Sequence, residues 1–165
     1  KALLAAEKVS HVLARDVSEH KLDRIRENAC RLGMEEKLEL ELWDACREDP
    51  DKAGSADAVF MDVPCSGLGV LGKKRDIKYH VTPDSLEELI KLQRRIIQGS
   101  WRYVKPGGVL MYSTCTINRR ENQENCDWIC ENFPFVLEES QQLLPRQAHM
   151  DGFFYARFRR LEDDK

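Results

Sequence analysis

An α/β domain is predicted by three observations. Short apolar runs alternate with stretches of helical periodicity; four of those runs deliver acidic or thiol-bearing residues at their carboxyl ends; and no internal repeat or low-complexity linker breaks the alternation. With 165 residues, 42% apolar and 33% charged, the chain has enough for one core and too little for two. No apolar run approaches the roughly 20 residues that cross a bilayer, and none reads as a signal peptide, so a soluble, cytoplasmic protein is expected. The six cysteines are expected to be reduced thiols, because a chain of this size and apolar content needs no staples.

The elements follow in order. Val9 to Val17 has strand-like apolar content and stops at Asp16, Ser18 and Glu19, where a helix start is expected. That helix should bury Leu22, Ile25, Ala29 and Leu32 and end at Gly33. Leu38 to Leu42 is a second strand, followed by Asp44 and then by a loop over 49–54 that contains Pro50. Ala56 to Val63 carries few charges and ends at Pro64, the pattern of a parallel strand covered on both faces. Ser66 to Val81 is glycine-rich, then basic and aperiodic, and is expected to be a surface loop of functional length. Thr82-Pro83-Asp84 opens a helix whose apolar stripe is Leu86, Leu89, Ile90, Ile97 and Trp101, and which Lys105-Pro106-Gly107-Gly108 should end. Val109 to Tyr112 is the next strand, Asn118 to Glu131 a polar helix with few core contacts, and Phe135 to Leu137 and Gly152 to Phe158 the last strands, before a frayed carboxyl terminus at 162–165.

In open α/β sheets ligands sit outside the carboxyl ends of the strands. This sequence places there Asp16, Asp44, Asp62 with Cys65, and Ser113 to Cys115. A single strand-end Asp is better explained by helix capping than by function; three acids and two thiols at four strand ends form a constellation. Asp16 suits a pair of ribose hydroxyls and Asp44 an adenine amino group. Cys65 and Cys115 should face one cavity, where either thiolate is a candidate nucleophile next to Lys73, Lys74 or Arg75. Zinc is disfavoured. Neither Cys65 nor Cys115 has a CxxC partner, Cys126 and Cys130 share a helix face without further ligands, and His11, His20, His80 and His149 are scattered, so no metal site is expected.

Charge is unevenly distributed. Ser66 to Arg120 holds 11 basic and 4 acidic residues, net +7, within a chain of net −3, so a polyanion is expected to bind one face only.

Asp62-Val63-Pro64-Cys65-Ser66-Gly67-Leu68-Gly69, with Tyr112-Ser113-Thr114-Cys115 after Lys105-Pro106-Gly107-Gly108, closely resembles the Sun-type family of RNA cytosine-5 methyltransferases, nearest to bacterial members acting on small-subunit ribosomal RNA. The likeness continues through Asp16-Val17-Ser18-Glu19, Arg75-Asp76-Ile77-Lys78-Tyr79, Leu92-Gln93, Arg120-Glu121-Asn122 and Asp151-Gly152-Phe153-Phe154. It implies a class I, Rossmann-like fold using S-adenosylmethionine to methylate RNA. It further implies that Cys115 attacks carbon 6 of a flipped-out cytosine, that Cys65 aids product release and that Asp62 contacts the base near N3. Asp16 and Asp44 would hold ribose and adenine, with Asp62 and Pro64 also bordering the cofactor. Lys73, Lys74, Arg75, Lys78, Arg119 and Arg120 would meet RNA phosphates.

In the family a strand and a Cys-Ala-Ala-Pro-Gly-Gly loop precede the residue matching Lys1. Residues 1–165 are therefore expected to be an incomplete catalytic domain without the first strand, the glycine loop or a separate RNA-binding domain. Weak or no cofactor binding should follow, with unpaired strand edges that favour aggregation or a rearranged sheet. The alternatives are a non-catalytic RNA-binding module or inactive fragment, an amino methyltransferase, which Pro64-Cys65-Ser66 disfavours, and a dehydrogenase, for which no GxGxxG follows a strand.

Overall fold

The computed structural model describes residues 1–145 and 150–162, so His149 and the 163–165 end of the expected frayed terminus lie outside the described residues. The chain forms two compact units, Lys1–Ala45 and Cys46–Lys165.

The first unit holds helix α1 (Ala2–Ala6), strand β1 (Val12–Asp16), helix α2 (Glu19–Leu32) and strand β2 (Leu38–Leu42). β1 and β2 pair in parallel from Val12↔Leu38 to Asp16↔Leu42. The five-residue register limits β1, so Val9 and Val17, expected within it, are exposed beyond its ends. Gly33 ends α2 at φ 63°, with Met34 N–H donating to Ala29 O at 2.9 Å and Gly33 N–H to Cys30 O at 3.1 Å, a Schellman closure that glycine permits. Leu22 and Ala29 are buried as the spacing predicts. Leu32 is exposed instead, because it lies in the last turn of α2, where no described residue of this unit covers it. α1 carried no sequence signal.

The second unit is a four-stranded sheet in the order β3-β4-β6-β5. β3 (Ala56–Asp62) runs parallel to β4 (Val104–Thr114), which pairs antiparallel with β6 (Phe153–Arg160), itself antiparallel to β5 (Phe135–Leu143). β3 is therefore an edge strand, and only Met61 of its residues is buried while Phe60 is 62% exposed; the expected coverage of both faces is absent. Between β3 and β4 come the short helix α3 (Ile77–His80) and the long helix α4 (Pro83–Ser100). A capping box fixes the start of α4: the Thr82 hydroxyl accepts from Ser85 N–H at 3.1 Å and the Ser85 hydroxyl from Thr82 N–H at 2.8 Å. After β4 comes helix α5 (Gln123–Asn132).

Three expectations change here. Lys105 to Gly108 lies inside β4, because the pairing register jumps between Ala56 and Ala58 and the bulge absorbs those residues, with Gly107 at φ 73°. The 66–81 segment is not a wholly exposed loop. Ser66, Gly67 and Gly69 are buried, since a Cβ on Gly69 would meet Gly152 O at 2.3 Å and the two backbones touch, while the 72–76 turn and Lys78, Tyr79 and His80 are exposed. Residues 118–132 are not a sparsely packed helix either: a turn precedes α5, and Glu121, Asn122, Asn125, Cys126 and Ile129 are all buried.

The core lies between the sheet and the two helices, with Ile97, Leu110, Tyr112, Ile129, Phe154 and Phe158 completely buried. Leu110→Ala should cost about 2–5 kcal/mol of stability, read as a lower urea midpoint at unchanged slope.

Candidate active site

Two adjacent parallel strands build this site. β3 and β4 end in step, with Asp62 opposite Ser113, so the segments that follow them run side by side. Cys65 and Cys115 lie on those segments with their Sγ atoms 3.2 Å apart, and Cys115 N–H donates to Cys65 Sγ at 3.3 Å. Asp62 is exposed, its Oδ1 accepting from the Ser113 hydroxyl at 3.1 Å. The three predicted catalytic residues thus come together, both thiols half-buried. Contact with the Cys115 sulfur, and then burial, push the Cys65 thiol far above its ordinary range, so it stays protonated.

Behind the thiols is a buried polar cluster that the site predictions missed. Its centre is the Glu121 carboxylate, 0% exposed, which accepts from Ser66 N–H at 2.8 Å, the Ser66 hydroxyl at 2.5 Å, Gln93 Nε2 at 3.0 Å and Asn118 Nδ2 at 3.1 Å. All four partners are donors, the complement of an ionised carboxylate. The Ser66 hydroxyl, already donating to Glu121, accepts from Thr116 Oγ1 at 2.8 Å, and that oxygen accepts from Asn118 N–H at 3.2 Å. Gln93 also donates to Pro64 O at 2.9 Å. One side chain therefore fixes the residue after Cys65 and, through Thr116, the residue after Cys115.

A second layer continues the cluster. Tyr112 OH donates to Glu121 O at 2.7 Å, Asn125 Nδ2 to Gln93 Oε1 at 2.8 Å, and Asn122 accepts from Thr114 Oγ1 at 2.7 Å while donating to Thr116 O at 3.0 Å. Gln93 had a readable signal, a polar residue at helical spacing between Ile90 and Ile97. Glu121 and Asn122, set among charged residues, had no signal in periodicity or composition; only the resemblance marked the Arg120-Glu121-Asn122 segment, without a role for it.

The remaining predicted residues are dispersed. Asp16 and Asp44 belong to the first unit. The Asp16 carboxylate caps the chain entering α2, accepting from Ser18 N–H at 2.9 Å, and pairs with Lys21 at 3.2 Å; Asp44 follows β2 and is exposed. Of the six predicted RNA contacts, Lys73 is paired with Asp151 at 2.7 Å and Arg120 with Glu87 at 2.5 Å. Lys74, Arg75 and Arg119 are exposed, and the Lys78 ammonium sits 4.8 Å from the centroid of Tyr79. A cavity of about 770 Å³ opens beside Cys65 and Ser66.

Two outcomes test this geometry. Glu121→Ala strands at least three buried donors and should destabilise the fold by about 3–5 kcal/mol in urea denaturation. Cys115→Ala removes the largest influence raising the Cys65 thiol; more thiolate then exists at any given pH, and iodoacetamide should alkylate Cys65 faster at pH 8, followed by peptide mass.

The family model for 16S rRNA methyltransferase RsmB/F matches residues 2–159. The ribosomal RNA small subunit methyltransferase B of Pectobacterium carotovorum is 35% identical over 164 residues, covering 94% of this chain and 38% of that protein. The chain thus spans less than two-fifths of the length of this curated relative. Among solved structures, PH0851 superposes with a TM-score of 0.83 at 29% identity, covering 93% of this chain and 37% of its own. NSun6 from Pyrococcus horikoshii gives 0.80 at 28% identity, covering 98% and 44%. An S-adenosylmethionine-dependent O-methyltransferase from Thermotoga maritima, 17% identical with a TM-score of 0.60, shares the fold, that of the class I methyltransferases. A family match from residue 2 to residue 159 encloses both thiols and the buried carboxylate behind them, and the chain belongs to the 16S rRNA methyltransferase RsmB/F family.

Proposed function

We propose that this chain carries the methyl-transfer chemistry of an RNA cytosine-5 methyltransferase acting on ribosomal RNA. The observation that carries this reading is the contact of two thiols, 3.2 Å apart, at the ends of adjacent parallel strands beside a carboxylate.

Carbon 5 of cytosine is a poor nucleophile, and its chemistry requires a covalent helper. The Cys115 thiolate adds to carbon 6 of a base turned out of the RNA; the 5,6 double bond opens and its electrons shift toward carbon 5 and N3. Asp62, at the mouth of the site, stabilises a proton on N3 as that charge develops. The enamine so formed is nucleophilic at carbon 5. S-adenosylmethionine, when bound, supplies the electrophilic methyl group. Loss of the carbon 5 proton to water then restores the double bond and breaks the bond from sulfur to carbon 6, returning Cys115 as a thiolate. Cys65, kept protonated by its surroundings, donates to the departing sulfur and so favours release.

Asp16 and Asp44, at the carboxyl ends of paired parallel strands, suit the ribose and the adenine of that cofactor. The Lys21 ammonium against Asp16 is on an exposed side chain and can yield to a ribose hydroxyl. The 16S rRNA substrate and the cytosine-5 position rest on the family and on the paired cysteines.

The test is intact mass after incubation with S-adenosylmethionine and a 5-fluorocytosine-substituted RNA. Fluorine at carbon 5 blocks the final elimination, so the wild-type protein should carry an RNA adduct that Cys65→Ala retains and Cys115→Ala loses. An adduct that instead survives Cys115→Ala makes Cys65 the nucleophile, and none in any form overturns the reading.

A further inference from the structure

The cavity beside Cys65 is larger than a single base requires, and its walls are not neutral. One wall is the exposed side of α4, which presents Lys91 and Arg95 one helical turn apart; the 76–81 segment also lines the cavity, and Ile77, Leu89 and Leu92 supply its apolar lining. Lys91 and Arg95 are exposed and form no ion pair among the described residues. This sets them apart from Lys73, Lys105 and Arg120, which are paired with Asp151, Asp57 and Glu87. Arg94 between them is also engaged, donating to Asn125 at 3.1 Å and stacking 5.0 Å from the centroid of Trp128. Two cations one turn apart on α4, neither within ion-pair distance of an acid among the described residues although the Lys91 charge reaches Glu87, offer phosphate contacts beside an apolar surface for a ring.

Resting on the reading above, we infer that this groove holds the RNA nucleotide next to the target cytosine, with its phosphates on Lys91 and Arg95 and its base against Ile77, Leu89 and Leu92. The distance is set by chain connectivity: the groove is floored by Cys65 and Ser66, so a nucleotide in it is adjacent to a base held at the thiols. Glu88 and Asp76 also line the groove. They disfavour a bare polyanion and accept from base amino groups, which selects a nucleotide with a splayed base over phosphate alone. The Lys91 and Arg95 contacts are therefore added to the residues assigned to RNA.

Fluorescence anisotropy with a labelled single-stranded RNA containing cytosine, titrated at several salt concentrations, tests this. The Lys91→Ala/Arg95→Ala double variant should bind about tenfold more weakly near 0.1 M salt and flatten the plot of log affinity against log salt by ~1.4, two phosphates' worth for a single strand. Lys105→Ala, which removes one positive charge from a paired site elsewhere, should change neither. A double variant with the wild-type slope overturns the inference, as does a wild-type protein that binds no RNA or a Lys105→Ala loss as large as the double variant's. The 5-fluorocytosine adduct separates the two readings. An adduct with an unaltered salt slope leaves the chemistry standing without the groove, and a flattened slope without an adduct leaves the groove standing without the chemistry.

Discussion

The site depends on a charge that meets no water. A carboxylate removed from solvent loses hydration worth several kcal/mol even after relaxation, and persists only where donors replace it. Glu121 has no cation beside it among its hydrogen-bond partners; it has four neutral donors from three side chains and one backbone amide. Those donors sit on the segment after β3, on α4 and on the segment after β4. Satisfying the carboxylate is therefore the same event as bringing the three together. A loop that moved away by even an ångström would leave both a charge and a donor unmatched, which makes the arrangement close to all-or-none.

The strands alone would not produce the thiol contact. The β3–β4 register places Asp62 opposite Ser113, but Val63 and Pro64 still separate Asp62 from Cys65, and Cys115 lies one residue past the end of β4, enough freedom to part the sulfurs. The Glu121–Ser66–Thr116 relay removes that freedom from one side and the Gln93 bond to Pro64 O removes it from the other. Gly69 adds a third restraint: its N–H donates to Cys115 O at 3.1 Å and it accepts from Gly152 N–H at 2.7 Å, an approach that leaves no room for a Cβ. Sulfur is reactive in proportion to its thiolate character, and a site using two thiols must prevent both from behaving alike. Contact between them does so by holding one proton on Cys65.

What could be read from the sequence follows a physical division. Local signals were legible: Gly33 as a left-handed helix stop, the Thr82-Pro83 start of α4, and Asp62, Cys65 and Cys115 at strand ends, since each depends on a few neighbouring residues. Pairing between distant residues was not. Lys73 and Lys74 are indistinguishable in sequence, yet one meets an acid 78 positions away and the other does not. The polar run from Asn118 to Asn125 reads as solvated surface because polarity and exposure usually coincide; here it is the inside of a hydrogen-bond cluster, hinted at by Gln93, out of place in an apolar stripe, and by the Arg120-Glu121-Asn122 segment of the family resemblance. The 66–81 segment misled for a related reason. Glycine suggests flexibility, whereas Gly69 is there because two backbones touch.

The charge asymmetry takes on a different meaning once partners are known. Of the 11 basic residues between Ser66 and Arg120, Lys73, Lys105 and Arg120 are neutralised where they stand, each by an acid. Their fields largely cancel within a few ångströms and contribute little at the distance of an approaching phosphate. A net +7 counted along the sequence is thus a poor guide to where a polyanion settles. The field that survives comes from cations not held in an ion pair, among them Lys91 and Arg95 on the wall of the cavity that exposes Cys65, tempered there by Glu88 and Asp76. Because α4 also carries Gln93 into the Glu121 cluster, the helix that positions the thiols on its buried side presents the phosphate-binding charge on its exposed side. Electrostatic attraction and nucleophile are thereby held in one rigid body, and the flipping of a base, which costs a few kcal/mol in lost stacking, has somewhere to recover it beside the atom that reacts.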